Sequence, residues 1–279
     1  MAQQQRGAQR ASTTRVRTFL AAILAAFLLA TASTATAPSA RAATSKVVIV
    51  VGPVGSETSS YRDGARRLAD QARSYGASVT EVYSPNATWP KVAAAAAGAN
   101  VLVYLGHGNG WPSPYYPYSA DSKDGMGLNA TAGDGNANIK YYGEAYMARL
   151  DLVPNAVVML NRLCYASGNN EWGAGNPTKA TAIKRVDNYG AGFLRAGASA
   201  VFASGISSVS YVLRGLFTGR ADLTMKQLFW TDPARTGTYR LGFGSVRTPG
   251  ATAQMDPYAP SRYYRSVIGK LATTVGDWR

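Results

Sequence analysis

Lys46-Val47-Val48-Ile49-Val50-Val51 is an unbroken β-branched run that stops at Gly52-Pro53-Val54-Gly55. No polar residue alternates within it, so it suits a strand covered on both faces, inside a layered sheet. Asn100–Leu105 and Ala156–Leu160 repeat the pattern, and Ser78–Tyr83 and Ser199–Ala203 read as further strands. Between these runs the period changes to that of a helix. Ser59–Tyr75 carries Ala65, Leu68, Ala69, Ala72 and Tyr75 on one side, with Gly76 as its stop. Thr88–Ala97 has Pro90 in its first turn, where proline is tolerated. Thr181–Ala196 places Val186, Tyr189, Phe193 and Leu194 together and ends at Gly197, with Gly190 and Gly192 expected to weaken it. Val209–Phe217 and Leu223–Trp230 read as two more helices. Strands alternating with helices, joined by right-handed crossovers, predict an α/β fold: a three-layer α/β/α sandwich around a mainly parallel sheet.

The amino-terminal segment reads differently. Arg6, Arg10, Arg15 and Arg17 precede an apolar run from Phe19 to Ala30, and Ala40-Arg41-Ala42 offers a small-x-small cleavage site. This is the layout of a secretory signal over residues 1–42, too short in its apolar part to span a bilayer. Its removal leaves about 237 of the 279 residues, with 24 Lys and Arg against 15 Asp and Glu, a formal +9. The expected mature chain is one secreted domain over residues 43–279, with a core at about 46–230 and an irregular extension at 231–279. A strand or hairpin is expected there around Tyr263–Ile268. Basic residues are spread out rather than clustered with aromatics, which argues against a nucleic-acid partner. An acidic cell-surface polymer is a plausible loose partner for such a surface.

A long segment, Asn109–Leu152, separates the third and fourth strands. It opens with Trp111-Pro112-Ser113-Pro114-Tyr115-Tyr116-Pro117-Tyr118 and then becomes rich in Gly, Asp and Asn. Loops of this length are usually functional or disordered, and its prolines and rings argue against disorder. Trp111, Tyr115, Tyr116 and Tyr118 are therefore candidate substrate-binding residues. Asp121, Asp124 and Asp134 fit either a structural calcium loop or ordinary solvated turns; they do not match the EF-hand pattern. Tyr141–Leu150 reads as a helix returning the chain to the sheet.

The third strand run ends at Gly106-His107-Gly108 and the fourth at Asn161-Arg162-Leu163-Cys164, and these are the chain's single histidine and single cysteine. Open parallel sheets bind ligands beyond the carboxyl ends of their strands, so neighbouring third and fourth strands would bring the two residues together. A thiolate with an adjacent imidazole is a nucleophile with its base. The N–H groups of Gly108 and Cys164 are candidates for an oxyanion hole. One cysteine makes no internal disulfide, and one His with one Cys leaves too few ligands for zinc. No other cofactor is implied. A Ser-His-Asp hydrolase is disfavoured because no Gly-x-Ser-x-Gly elbow occurs.

An apolar strand ending in His-Gly, followed by another ending in Cys, resembles the caspase, legumain and gingipain group of cysteine peptidases. Ala191-Gly-Phe-Leu-Arg-Ala-Gly-Ala-Ser-Ala-Val-Phe-Ala203 is similar to the passage after the catalytic cysteine in caspase-like CHAT domains. The resemblance spans roughly Lys46 to Ser204. It implies the caspase-like sandwich, a protein or peptide substrate, and peptide-bond cleavage with Cys164 as nucleophile, His107 as imidazole and Gly108 as oxyanion donor. Where such peptidases carry Glu, Gln or Ser-Ala before the cysteine, this chain has Arg162-Leu163, and 57 residues separate His107 from Cys164. These departures also fit an inactive caspase-like module that binds wall polymer or protein through its aromatic loop.

Overall fold

In the computed structural model, residues 44–136 and 138–279 are described; the expected signal segment lies outside them. Ten strands form in chain order: β1 (Lys46–Val51), β2 (Ser78–Tyr83), β3 (Ala99–Leu105), β4 (Met126–Asn129), β5 (Ile139–Tyr142), β6 (Leu152–Asn161), β7 (Ala198–Ser204), β8 (Leu241–Gly244), β9 (Thr252–Met255) and β10 (Arg265–Gly269). The helices are α1 (Thr58–Ser74), α2 (Trp89–Ala96), α3 (Glu144–Met147), α4 (Lys179–Arg195), α5 (Ser210–Thr218), α6 (Met225–Phe229) and α7 (Val275–Trp278). Eight strands build one sheet in the order β2-β1-β3-β6-β7-β10-β9-β8, and β4 and β5 pair separately. From β2 to β7 every pairing is parallel, and from β7 to β8 every pairing is antiparallel.

The β-branched runs are central strands because both of their faces are covered. Val48 and Val50 share one apolar layer with Leu102, Tyr104, Val158 and Leu160, beneath α2 and α4. Val47, Ile49 and Val51 share the other with Val101, Val103, Val157 and Met159, beneath α1, α5, α6 and α7. The result is the three-layer α/β/α sandwich with a mainly parallel sheet. Burying one Val, Leu or Ile in such a layer contributes about 1.5–3 kcal/mol. Helix α1 supplies Ala65, Leu68, Ala69 and Ala72, the residues its spacing singled out, and Gly76 and Gly197 follow α1 and α4 at positive φ. Thr178 caps α4 by accepting from the Thr181 N–H.

Two expectations are corrected. Residues 141–150 are not one helix: Tyr141 and Tyr142 end β5, which pairs antiparallel with β4, and only Glu144–Met147 is helical. Gly143 breaks the segment, because a Cβ there would lie 2.5 Å from the Ala120 and Lys123 carbonyl oxygens. The tail is not irregular. β8, β9 and β10 extend the sheet, and Arg265 of β10 pairs with Asp232 (2.8 Å) and Asp256 beneath the surface. The expected hairpin near Tyr263–Ile268 is β9–β10. Finally, Gly190 and Gly192 serve packing: α4 rests against Ile268 of β10 at Gly190 and against α3 at Gly192, where side chains would collide.

Candidate functional site

β3 and β6 are adjacent and parallel, with Leu105 opposite Asn161. His107 follows Leu105 by two residues and Cys164 follows Asn161 by three, so both leave the same edge of the sheet. The chain crosses itself there. A Cβ on Gly108 would stand 2.1 Å from the Cys164 carbonyl oxygen and 3.1 Å from the Tyr189 hydroxyl, so only glycine allows this approach. Among the described residues, neither the Gly108 nor the Cys164 backbone N–H is taken by a hydrogen bond. The turn after β6 is sharp: Arg162 and Tyr165, on either side of Cys164, have φ of 59° and 69°. Left-handed backbone at non-glycine residues costs free energy and gathers at functional sites.

His107 and Cys164 are both partly buried. Burial lowers the imidazole pKa below its usual value. It raises the thiol pKa, which the Trp172 N–H pulls down and Glu171 pushes up. At neutral pH the pair therefore rests as thiol and neutral imidazole, the protonation state from which a base removes a proton. Among the described residues no hydrogen bond joins the thiol to the imidazole. Tyr61, Tyr141 and Tyr165 stand around the thiol, their phenol pKa values raised by burial and, for Tyr165, further by its hydrogen bond to Glu171. Tyr141 also meets the His107 side, since its ring and the His107 Cβ flank Gly127.

A cleft of about 610 Å³ opens beside Cys164, with Arg162, Glu171, Trp172, Ile206, Arg262 and Tyr264 among its walls. Of these only Cys164 was singled out from the sequence. Glu171 and Trp172 sit in the polar loop after β6, where no periodicity marks them. The aromatic stretch lies elsewhere. Tyr115 and Tyr116 are 50% and 86% exposed, and Trp111 and Tyr118 line a separate hollow of about 420 Å³ with Ile183, Phe243 and Val246. Tyr115 alone leans towards the cleft, its phenol raised by the neighbouring Glu171.

Buried cations hold this stretch in place. Lys123, 1% exposed, donates to Asn109 Oδ1 (2.8 Å), Ser113 Oγ (2.9 Å) and the Tyr115 carbonyl (2.7 Å). Arg185 donates to the Pro112 carbonyl (2.7 Å) and the Asn169 carbonyl (2.8 Å), tying the His107 loop to the Cys164 loop. Its guanidinium also stacks on Tyr165. Asp124 is buried and accepts from the Trp111 N–H at 2.9 Å. Asp121 and Asp134 are exposed, and among the described residues no group of His, Cys, Asp and Glu could hold a metal ion. Asp121, Asp124 and Asp134 therefore do not come together as such a group.

No protein-family model matches the chain, and no curated protein matches it. Among solved structures, a secreted C11 cysteine protease from Bacteroides thetaiotaomicron, in complex with an irreversible peptide inhibitor, overlaps 76% of this chain and 66% of its own. The TM-score is 0.38 and the identity 9%. Among the described residues no helix is long and apolar enough to cross a membrane.

Proposed function

We propose that the chain is a secreted cysteine endopeptidase of the caspase-like kind, its mature form starting near Ala43. The observation that carries this is the contact of Gly108 with the Cys164 backbone, which brings the single histidine and the single cysteine to one sheet edge. His107 takes the thiol proton as Sγ attacks the peptide carbonyl, and the free N–H groups of Gly108 and Cys164 receive the oxyanion. The imidazolium then protonates the leaving amine as the C–N bond breaks. Water, deprotonated by the same imidazole, hydrolyses the thioester and regenerates the thiol.

The competing reading, a binding module without turnover, draws on the exposure of Tyr115 and Tyr116. Alkylation of the mature protein by iodoacetamide separates the two. A working dyad labels Cys164 quickly at pH 7, and His107→Ala slows it about 10²-fold. Equal, slow labelling of both proteins would leave the binding module.

A further inference from the structure

One buried phenol at the sheet edge takes no part in the proton transfers of the dyad. Tyr104 is the penultimate residue of β3 and is fully buried. Its side chain turns back along the strand. A Cβ on Gly106 would lie 2.2 Å from the phenol oxygen and one on Gly52 3.0 Å from it, so two residues without side chains make its room. The phenol oxygen accepts from the Gly127 N–H at 2.9 Å. Its single proton faces two carbonyl oxygens, that of Gly127 at 2.8 Å and that of His107 at 3.0 Å. Among the described residues the His107 carbonyl takes no other hydrogen bond. Burial pushes the phenol pKa well above its ordinary value, so the proton stays in place around neutral pH.

The His107 carbonyl and the Gly108 N–H belong to one trans peptide unit, in which the two groups point in opposite directions. A donor fixed on the carbonyl therefore fixes the line along which the Gly108 N–H is offered. It also acts on the strength of that N–H. An amide that donates to a negative oxygen passes charge to its own carbonyl, which becomes the better acceptor. In the resting protein the phenol proton is divided between Gly127 and His107. With an oxyanion on Gly108, the His107 carbonyl draws it more strongly. The bond is then tighter in the transition state than in the ground state, which is the condition for raising a rate rather than an affinity.

We infer that Tyr104 is a positioning residue of the proposed oxyanion hole: its hydroxyl, donating to the His107 carbonyl, aims the Gly108 N–H and strengthens it as negative charge develops. That role rests on the peptidase reading.

The test compares two small thiol reagents on the mature protein. p-Nitrophenyl acetate acylates Cys164: Sγ adds to the ester carbonyl as its proton passes to His107, the oxyanion forms, and its collapse expels p-nitrophenolate. Iodoacetamide alkylates the same sulfur by displacing iodide from a saturated carbon, and no oxyanion arises. Tyr104→Phe is expected to slow acylation about tenfold and to leave alkylation unchanged. Two unchanged rates overturn the inference, because the hydroxyl is then idle. Two rates lowered together also overturn it, because the hydroxyl then props the fold or the thiol. Tyr104→Phe strips the Gly127 N–H of its acceptor, so the melting temperature is measured beside the rates. For a variant that fails to fold, replacing Tyr104 by 3-fluorotyrosine keeps every bond and sharpens the donor. Acylation should then quicken while alkylation holds, and an unchanged ratio overturns the inference. His107→Ala keeps the two readings apart. Alkylation that depends on His107, with a ratio that ignores Tyr104, retains the dyad and removes the positioning role. A ratio that follows Tyr104, with alkylation indifferent to His107, retains the hole and removes the base.

Discussion

The loops that carry the two candidate catalytic residues are built in opposite ways. The segment after β3, residues 107–125, is fastened from inside by Lys123, Asp124, Arg185 and Tyr189, the last donating to the Gly125 carbonyl at 2.7 Å. The segment after β6 is fastened in its first part, where Ser167 donates to the Tyr263 carbonyl at 2.8 Å, Arg185 to the Asn169 carbonyl at 2.8 Å and Tyr165 to Glu171 Oε1 at 3.0 Å. Beyond it, Trp172 is 92% exposed and a Cβ on Gly173 or Gly175 would meet nothing within 4 Å. The loop that carries the imidazole is thus held by buried polar bonds, while the far wall of the thiol's cleft stands open to solvent. Fastening the loop of the proposed base and leaving the cleft wall open suits chemistry that demands geometry from one partner and accommodation from the other.

Gly108→Ala is the largest expected break in this contrast. The new methyl would overlap the Cys164 carbonyl, and backbone lies on both sides, so neither loop yields cheaply. Overpacking of this kind, with loss of the loop crossing, is expected to cost upwards of about 3 kcal/mol. In urea denaturation the variant should unfold much earlier than wild type, and its Cys164 alkylation should no longer depend on His107. Gly175→Ala, in the open loop at an ordinary φ, should change neither. Equal behaviour of the two variants would show that the loops are not differently held.

Asp124 gives an intermediate test. Its carboxyl is pushed up to about 8 by burial, against the pull of the Trp111 N–H, and Oδ2 has no partner. The folded pKa lies above the unfolded one, so the native state binds the extra proton. This contribution is fully present below about pH 4 and is lost at up to about 1.4 kcal/mol per pH unit as pH rises towards 8. Above that it is flat. Asp124→Asn keeps an acceptor for the Trp111 N–H and cannot ionise, so its stability should decline less between pH 5 and 8. Parallel pH profiles for the two proteins would mean that the buried carboxyl is not what fastens the His107 loop.

How much of this was legible depended on whether the signal was local. The β-branched runs and the helical spacing of Ala65, Leu68, Ala69 and Ala72 depend on burial by neighbours within one element, and they placed the sheet and its helices closely. The strand-end positions of His107 and Cys164 were visible because each residue occurs once. Tyr141, Glu171 and Trp172 were not visible, because they reach the thiol from segments whose position is set by contacts far along the chain. The tail was misread for the same reason: its order comes from edge pairing with β7 and from Arg265 between Asp232 and Asp256, and neither leaves a period in the sequence.

Trp172→Ala carries the smallest expected effect and the sharpest discrimination. The indole is almost wholly in solvent, so its loss should change stability by no more than about 0.5 kcal/mol. The Trp172 group that lowers the thiol pKa is its backbone N–H, which survives the substitution. Iodoacetamide, too small to use the cleft wall, should therefore alkylate Cys164 at the wild-type rate. Peptidyl ketones, which lie along that wall, should slow several-fold as an apolar surface in contact with them is removed. Should both reagents slow together, the indole would be acting on the thiol itself, and the open loop would belong to the chemistry rather than to the fit of the substrate.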